Sequence, residues 1–166
     1  MKTQSPIFIT LIFTGILLLA GCSKKESELC EFVICDYGTC TDGKCKCPTG
    51  YEGSKCLTEV RTKYLGTFTS SEQCSVSYDG TYSITISTIP SEITKVNFYG
   101  IWGTSENTTG VVKDDGNIYI LSQPFYSGST ITGKAMLING KLKVSYTVTG
   151  ASQLNGQTDN CVWQQQ

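Results

Sequence analysis

The chain has no histidine at all. That removes the commonest general base near neutral pH and the commonest nitrogen ligand for a metal. Ser-His-Asp and Cys-His nucleophile arrangements are excluded with it. Charge is also scarce: 16% of residues are charged and the formal net charge is −1. Nothing in that balance offers a footprint for nucleic acid, and no nucleic-acid partner is expected. No segment carries a convincing amphipathic helical period. What is plentiful is glycine, serine, threonine and tyrosine, the composition of an exported β-rich protein.

Cysteine is plentiful too. The nine cysteines lie at 22, 30, 35, 40, 45, 47, 56, 74 and 161. An odd count in an exported chain requires one sulfur with a separate fate. The first belongs to the opening stretch, MKTQSPIFITLIFTGILLLAGC. Lys2 supplies a positive start, and residues 6–20 are almost entirely apolar. The run is too short and too abruptly ended for a comfortable membrane span, and a removable signal peptide fits better. Leu19-Ala20-Gly21-Cys22 resembles the lipobox of bacterial lipoproteins. The resemblance implies a signal peptide over 1–21 and a mature chain starting at a lipidated Cys22. Diacylglycerol and a further acyl chain such as palmitate would hold it on a membrane. In Gram-negative members an Asp after the lipidated cysteine usually retains the protein at the inner membrane. Here that residue is Ser23, which implies the outer membrane, on either its periplasmic or its surface face. Residues 22–29 are polar and aperiodic and read as a tether.

Lipidation of Cys22 leaves eight cysteines, six of them crowded between 30 and 56. So short a segment, with few aliphatic residues, cannot fold on burial alone and needs crosslinks. The spacings lack the tight C-x2-C knuckles of a zinc site, and no metal is expected. Residues 45–56, CKCPTGYEGSKC, resemble the C-terminal half of an EGF-like domain in every defining position: the C-x-C pair, Gly50 before an aromatic, Gly53 and the closing Cys56. Spacing alone leaves the connectivity open. The resemblance implies the pairs Cys30–Cys40, Cys35–Cys45 and Cys47–Cys56. Residues 25–29 do not match the acidic pattern of calcium-binding members, so no calcium is expected. The module reads either as a protein-recognition element or as a protease-resistant spacer.

After Cys56 the pattern changes to period two. Residues 80–88 alternate Tyr82, Ile84 and Ile86 with polar residues. Residues 141–149 do the same with Leu142, Val144, Tyr146 and Val148. Weaker candidates lie at 64–70 and 93–101, and near 110, 117, 130 and 159. About eight strands at regular spacing predict an all-β domain over 60–166, a barrel or a sandwich. Asn139-Gly140 and the 114–117 turn favour tight hairpins and hence a meander. A bridge between Cys74 and Cys161 would join the first and last strands, which favours a barrel. The strand-rich part resembles the lipocalin-like domains of exported lipoproteins, with Gly66-Thr67-Phe68 where that family places Gly-x-Trp. The resemblance implies an up-and-down barrel. A β-sandwich is the alternative, and its long crossovers fit the close hairpins less well.

No catalytic residues stand out, no cofactor is expected, and the chain reads as non-enzymatic. Two clusters, NFYGIW at 97–102 and SQPFY at 122–126, set large rings near strand ends. Phe98, Tyr99, Trp102, Phe125 and Tyr126 are the candidates for ligand binding, against the plainer reading that they fill the core. The sequence points to a monomer on a lipid anchor, with a protein or glycan partner bound without catalysis. A carrier of a small apolar or sugar-like ligand in the barrel lumen is one alternative. A hydrolase with an unrecognised carboxylate site is the other.

Overall fold

The computed structural model describes residues 26–77 and 79–166. The leader expected at 1–21, the lipid attachment at Cys22 and the start of the tether lie outside the described residues. The tether ends in one helical turn, α1 (Glu26–Leu29). Among the described residues, no helix is long and apolar enough to cross a membrane.

The disulfide-rich module follows. Strands β1 (Thr39–Thr41) and β2 (Lys44–Lys46) form a hairpin, and β3 (Tyr51–Glu52) pairs antiparallel with β4 (Thr58–Glu59). The first hairpin turns on Asp42 and Gly43, whose φ values of 50° and 75° are those of a type I′ turn. Between residues 28 and 55 only Gly50 is buried. The segment therefore has no core of its own, and three bridges hold it: Cys30–Cys40, Cys35–Cys45 and Cys47–Cys56.

The rest of the chain is an eight-stranded closed barrel. Its strands are β5 (Gly66–Cys74), β6 (Gly80–Thr88), β7 (Lys95–Tyr99) and β8 (Asn107–Val112). Strands β9 (Ile118–Pro124), β10 (Thr130–Ile138), β11 (Lys141–Thr149) and β12 (Thr158–Gln164) complete it. Each strand is antiparallel to the next, and β12 returns to pair with β5. Closure leaves no free sheet edge. At the seam Cys161 lies opposite Cys74, and the two are joined as a disulfide. The first barrel strand begins later than residue 64 and runs further, to Cys74. Its second half, Ser-Ser-Glu-Gln, is polar on both faces and so hides its period.

Alternate side chains fill the barrel axis. Ile84, Ile86, Val96, Phe98, Ile118, Ile131, Leu142, Val144 and Trp163 are all sealed from solvent. Gly110 makes room for one of them. A Cβ there would lie 2.5 Å from both the Phe98 ring and an Ile118 methyl.

The two barrel ends differ. One is closed by a 3-10 turn, Val60–Tyr64, with Val60, Arg61 and Tyr64 buried. Tyr64 donates its hydroxyl to the Gly116 carbonyl at 2.9 Å. The disulfide-rich module sits against this end. The Val60 amide donates to the Gly50 carbonyl at 2.9 Å, Lys63 pairs with Glu52 at 2.8 Å, and Thr49 bonds Asp114. The loops at 75–77, 100–106, 125–129 and 150–157 gather at the other end, far from the module along the barrel axis.

Candidate functional site

That far mouth holds the polar residues of the interior. On β5 the inward positions are Ser70 and Glu72, both buried. Glu72 is only 3% exposed. Tyr82 of β6 and Tyr146 of β11 reach the same point, and both hydroxyls donate to one carboxylate oxygen, Oε1. The two hydroxyl oxygens are 3.2 Å apart. Burial raises the Glu72 pKa above the ordinary carboxylate value; the hydrogen bonds from Tyr146 and Tyr82 oppose this, and the nearby Asp159 and Asp79 add to it. Burial also raises the pKa of Tyr82 and Tyr146, so both remain neutral donors.

Trp102 closes one side. Gly100 (φ 95°) lets the chain pass against β6, where a Cβ would sit 2.4 Å from the Ser83 carbonyl oxygen. Trp102 itself is left-handed at φ 58°, an uncommon conformation for a bulky residue. Its amide donates to the Tyr82 hydroxyl at 3.0 Å. Its indole Nε1 donates to Ser77 Oγ at 3.1 Å and to Asp159 Oδ2 at 3.2 Å. Asp159, inward on β12 and fully buried, also accepts from the Val76 amide at 2.9 Å and from the Ser77 amide at 3.3 Å. Burial alone would raise its pKa, but the bonds from Ser77, Val76 and Trp102 outweigh that and lower it. Asp159 therefore acts as an ionised anchor that ties the 75–77 loop and the Trp102 ring to the barrel wall.

Glu72, Ser77, Asp79, Tyr82, Trp102 and Tyr126 line a cavity of about 600 Å³ at this mouth. Of the five rings singled out in the sequence, three cluster at the mouth, and two of them, Trp102 and Tyr126, line the cavity. Trp102 lies 6.2 Å from Phe125 and 6.4 Å from Tyr126, centroid to centroid. The other two do not join them. Phe98 points inward and is sealed in the core, while Tyr99, the next residue on the strand, points outward and is 46% exposed. No protein-family model, curated protein or solved structure matches the chain.

Glu72 and the seam sulfurs of Cys74 and Cys161 lie within 4.8 Å of one another. The sulfurs are bonded to each other, so this group offers a single carboxylate and no thiolate ligand. A cleft of about 650 Å³ also runs along the junction of module and barrel. There Lys63 pairs with Glu52, Asp115 pairs with Lys134, and Asp114 accepts the Thr49 hydroxyl. The mouth differs in combining rings with a buried carboxylate. Sequence reading missed Glu72 and Asp159, and took Tyr82 and Tyr146 only as part of the apolar face of their strands. The signal for Glu72 was its even spacing with Phe68, Ser70 and Cys74, which places it inward once β5 is known to extend that far.

Proposed function

We propose that the chain is a lipid-anchored protein of the cell envelope, in the outer membrane, whose EGF-like stalk presents a lipocalin-like barrel that binds a ligand without catalysis. One observation carries this reading: the ring-lined cavity opens at the barrel end opposite the stalk, so an anchor at Cys22 would leave it accessible. The barrel axis is filled with side chains, which favours a ligand at the mouth over one in the lumen. Asp159 is fully engaged in holding Trp102 and its loop, which supports a binding role over acid–base chemistry.

The address and the site are tested separately. Labelled palmitate should enter the wild-type protein in its native host and be absent from Cys22→Ser; equal labelling of the two sinks the anchor. For the site, a fragment library is screened by amide chemical-shift perturbation. Saturating hits should move the amides of residues 72–77, 82 and 102–105, and Trp102→Ala should abolish them. Hits confined to the junction cleft, or none that saturate, would refute the site.

A further inference from the structure

We infer that the barrel mouth selects an organic ammonium ion carrying a small apolar body. The inference rests on the mouth being the binding site and names the class of its ligand. Among the described residues, the cavity walls include two carboxylates, Glu72 and Asp79, and no lysine or arginine. Glu72 is almost wholly buried and lines the cavity. Both of its tyrosine bonds fall on Oε1. Oε2 has no hydrogen-bond partner among the described residues, so half of a buried carboxylate that lines the cavity is left unpaired. An ionised carboxylate in that setting is costly unless a cation pairs with it. A neutral ligand leaves that cost unmet, and an anion adds to it. The rings complete the fit. Trp102, Tyr82 and Tyr126 offer faces or edges around the same space, and aromatic walls stabilise ammonium groups through the ring quadrupole. The volume of about 600 Å³ suits a small molecule.

A proton linkage follows. Burial, Asp159 and Asp79 hold the Glu72 proton on, and the two tyrosine hydroxyls oppose them. An arriving ammonium favours the ionised form, so binding expels a proton and tightens as pH rises through the Glu72 pKa.

The test is calorimetric titration of the mature protein with three probes of one shape: phenethylammonium, neutral 2-phenylethanol and anionic phenylacetate. Phenethylammonium should bind saturably, at least about tenfold tighter than 2-phenylethanol, and phenylacetate should not bind, since a charge-assisted bond in a buried site is worth that much. Glu72→Gln should cost phenethylammonium about tenfold or more and 2-phenylethanol far less, so that the preference for the ammonium is lost. Should that variant fail to fold, the wild type decides: phenethylammonium affinity should climb as pH rises from the ordinary carboxylate range into mild alkali while 2-phenylethanol stays flat. Equal affinity for the ammonium and the alcohol, or a flat ammonium profile, overturns the cation inference and leaves the mouth as a site. Binding of none of the three, together with an empty fragment screen, overturns both.

Discussion

The indole nitrogen of Trp102 donates to the fully buried carboxylate of Asp159 across 3.2 Å. The same carboxylate accepts two backbone amides of the 76–77 stretch. One buried charge thus fixes a ring of the mouth and the loop beside it. Asp159→Asn puts an amide donor where several donors already converge, and should destabilise the barrel by roughly 1–3 kcal/mol near neutral pH. The pH dependence has a definite sign. A carboxyl whose folded pKa is lowered contributes stability above its unfolded pKa and loses it as pH falls through the folded one. The gap between wild type and Asp159→Asn in thermal melts should therefore narrow in acid. A gap that widens in acid contradicts the ionised anchor.

Glu72 should behave in the opposite way. Its folded pKa is raised, chiefly by burial, so its contribution is fully present below the unfolded pKa and lost as pH rises through the folded value. Glu72→Gln keeps an acceptor for Tyr82 and Tyr146 and removes the charge. Its melting temperature should match wild type in mild acid and exceed it in mild alkali. A variant less stable than wild type in alkali would show that the carboxylate charge stabilises the free protein.

The barrel was legible because β6 and β11 alternate cleanly and Asn139-Gly140 sits between β10 and β11 with φ values of 52° and 77°. The cysteine arithmetic also pointed to the seam, since Cys74 and Cys161 are far apart in sequence and only a closed sheet brings them opposite. The heart of the mouth was illegible for the same physical reason. Period-two reading assumes that inward residues are apolar, and the mouth is where they are Glu72, Ser70 and Asp159. The rings failed as a group because Phe98 and Tyr99 are neighbours on one strand and must face opposite ways.

The bridge between Cys74 and Cys161 spans 87 residues. Chain-entropy reasoning gives a loop of that length roughly 4–5 kcal/mol. Replacing both cysteines by serine should lower stability by an amount of that order in denaturant titrations. Because Cys74 follows Glu72 by one inward position at the seam, the double variant should also speed amide exchange at residues 71–74 and 161–164 before the rest of the barrel opens. Uniform acceleration over all eight strands would mean that the seam is no weaker than its neighbours.

Gly110 faces inward on β8 where the Phe98 ring and Ile118 approach most closely. Gly110→Ala forces a methyl into 2.5 Å contacts with both. Overpacking of this kind costs about 1–3 kcal/mol. Pairing it with Phe98→Leu should recover part of the loss, because the smaller side chain frees the space that the methyl needs. Additive losses in the double variant would show that the contact with Phe98 is not the source of strain.

Arg61, only 8% exposed, joins the module linker to the closed barrel end. Its guanidinium donates to the carbonyls of Ile89, Glu92 and Lys95 at 3.2, 2.9 and 3.1 Å, and to Glu59 at 2.7 Å. A single cation thereby satisfies the carbonyls of the β6–β7 loop and orders the segment entering β5. Arg61→Ala takes this donor from the three carbonyls and the partner from Glu59, while the Ile89 and Glu92 carbonyls keep the Glu92 and Lys95 amides, so the cost should be roughly 1–3 kcal/mol. Arg61→Lys keeps the charge and one nitrogen with three donors but has no second nitrogen to hold Glu59 at the same time, so it should recover only part of that loss. Amide exchange should rise first in residues 89–95 and at Val60, while the three bridges keep the module itself protected. Because the mouth lies at the other end of the barrel, ligand binding there should be unaffected in the lysine variant. Weakened binding in that variant would reveal coupling between the two ends.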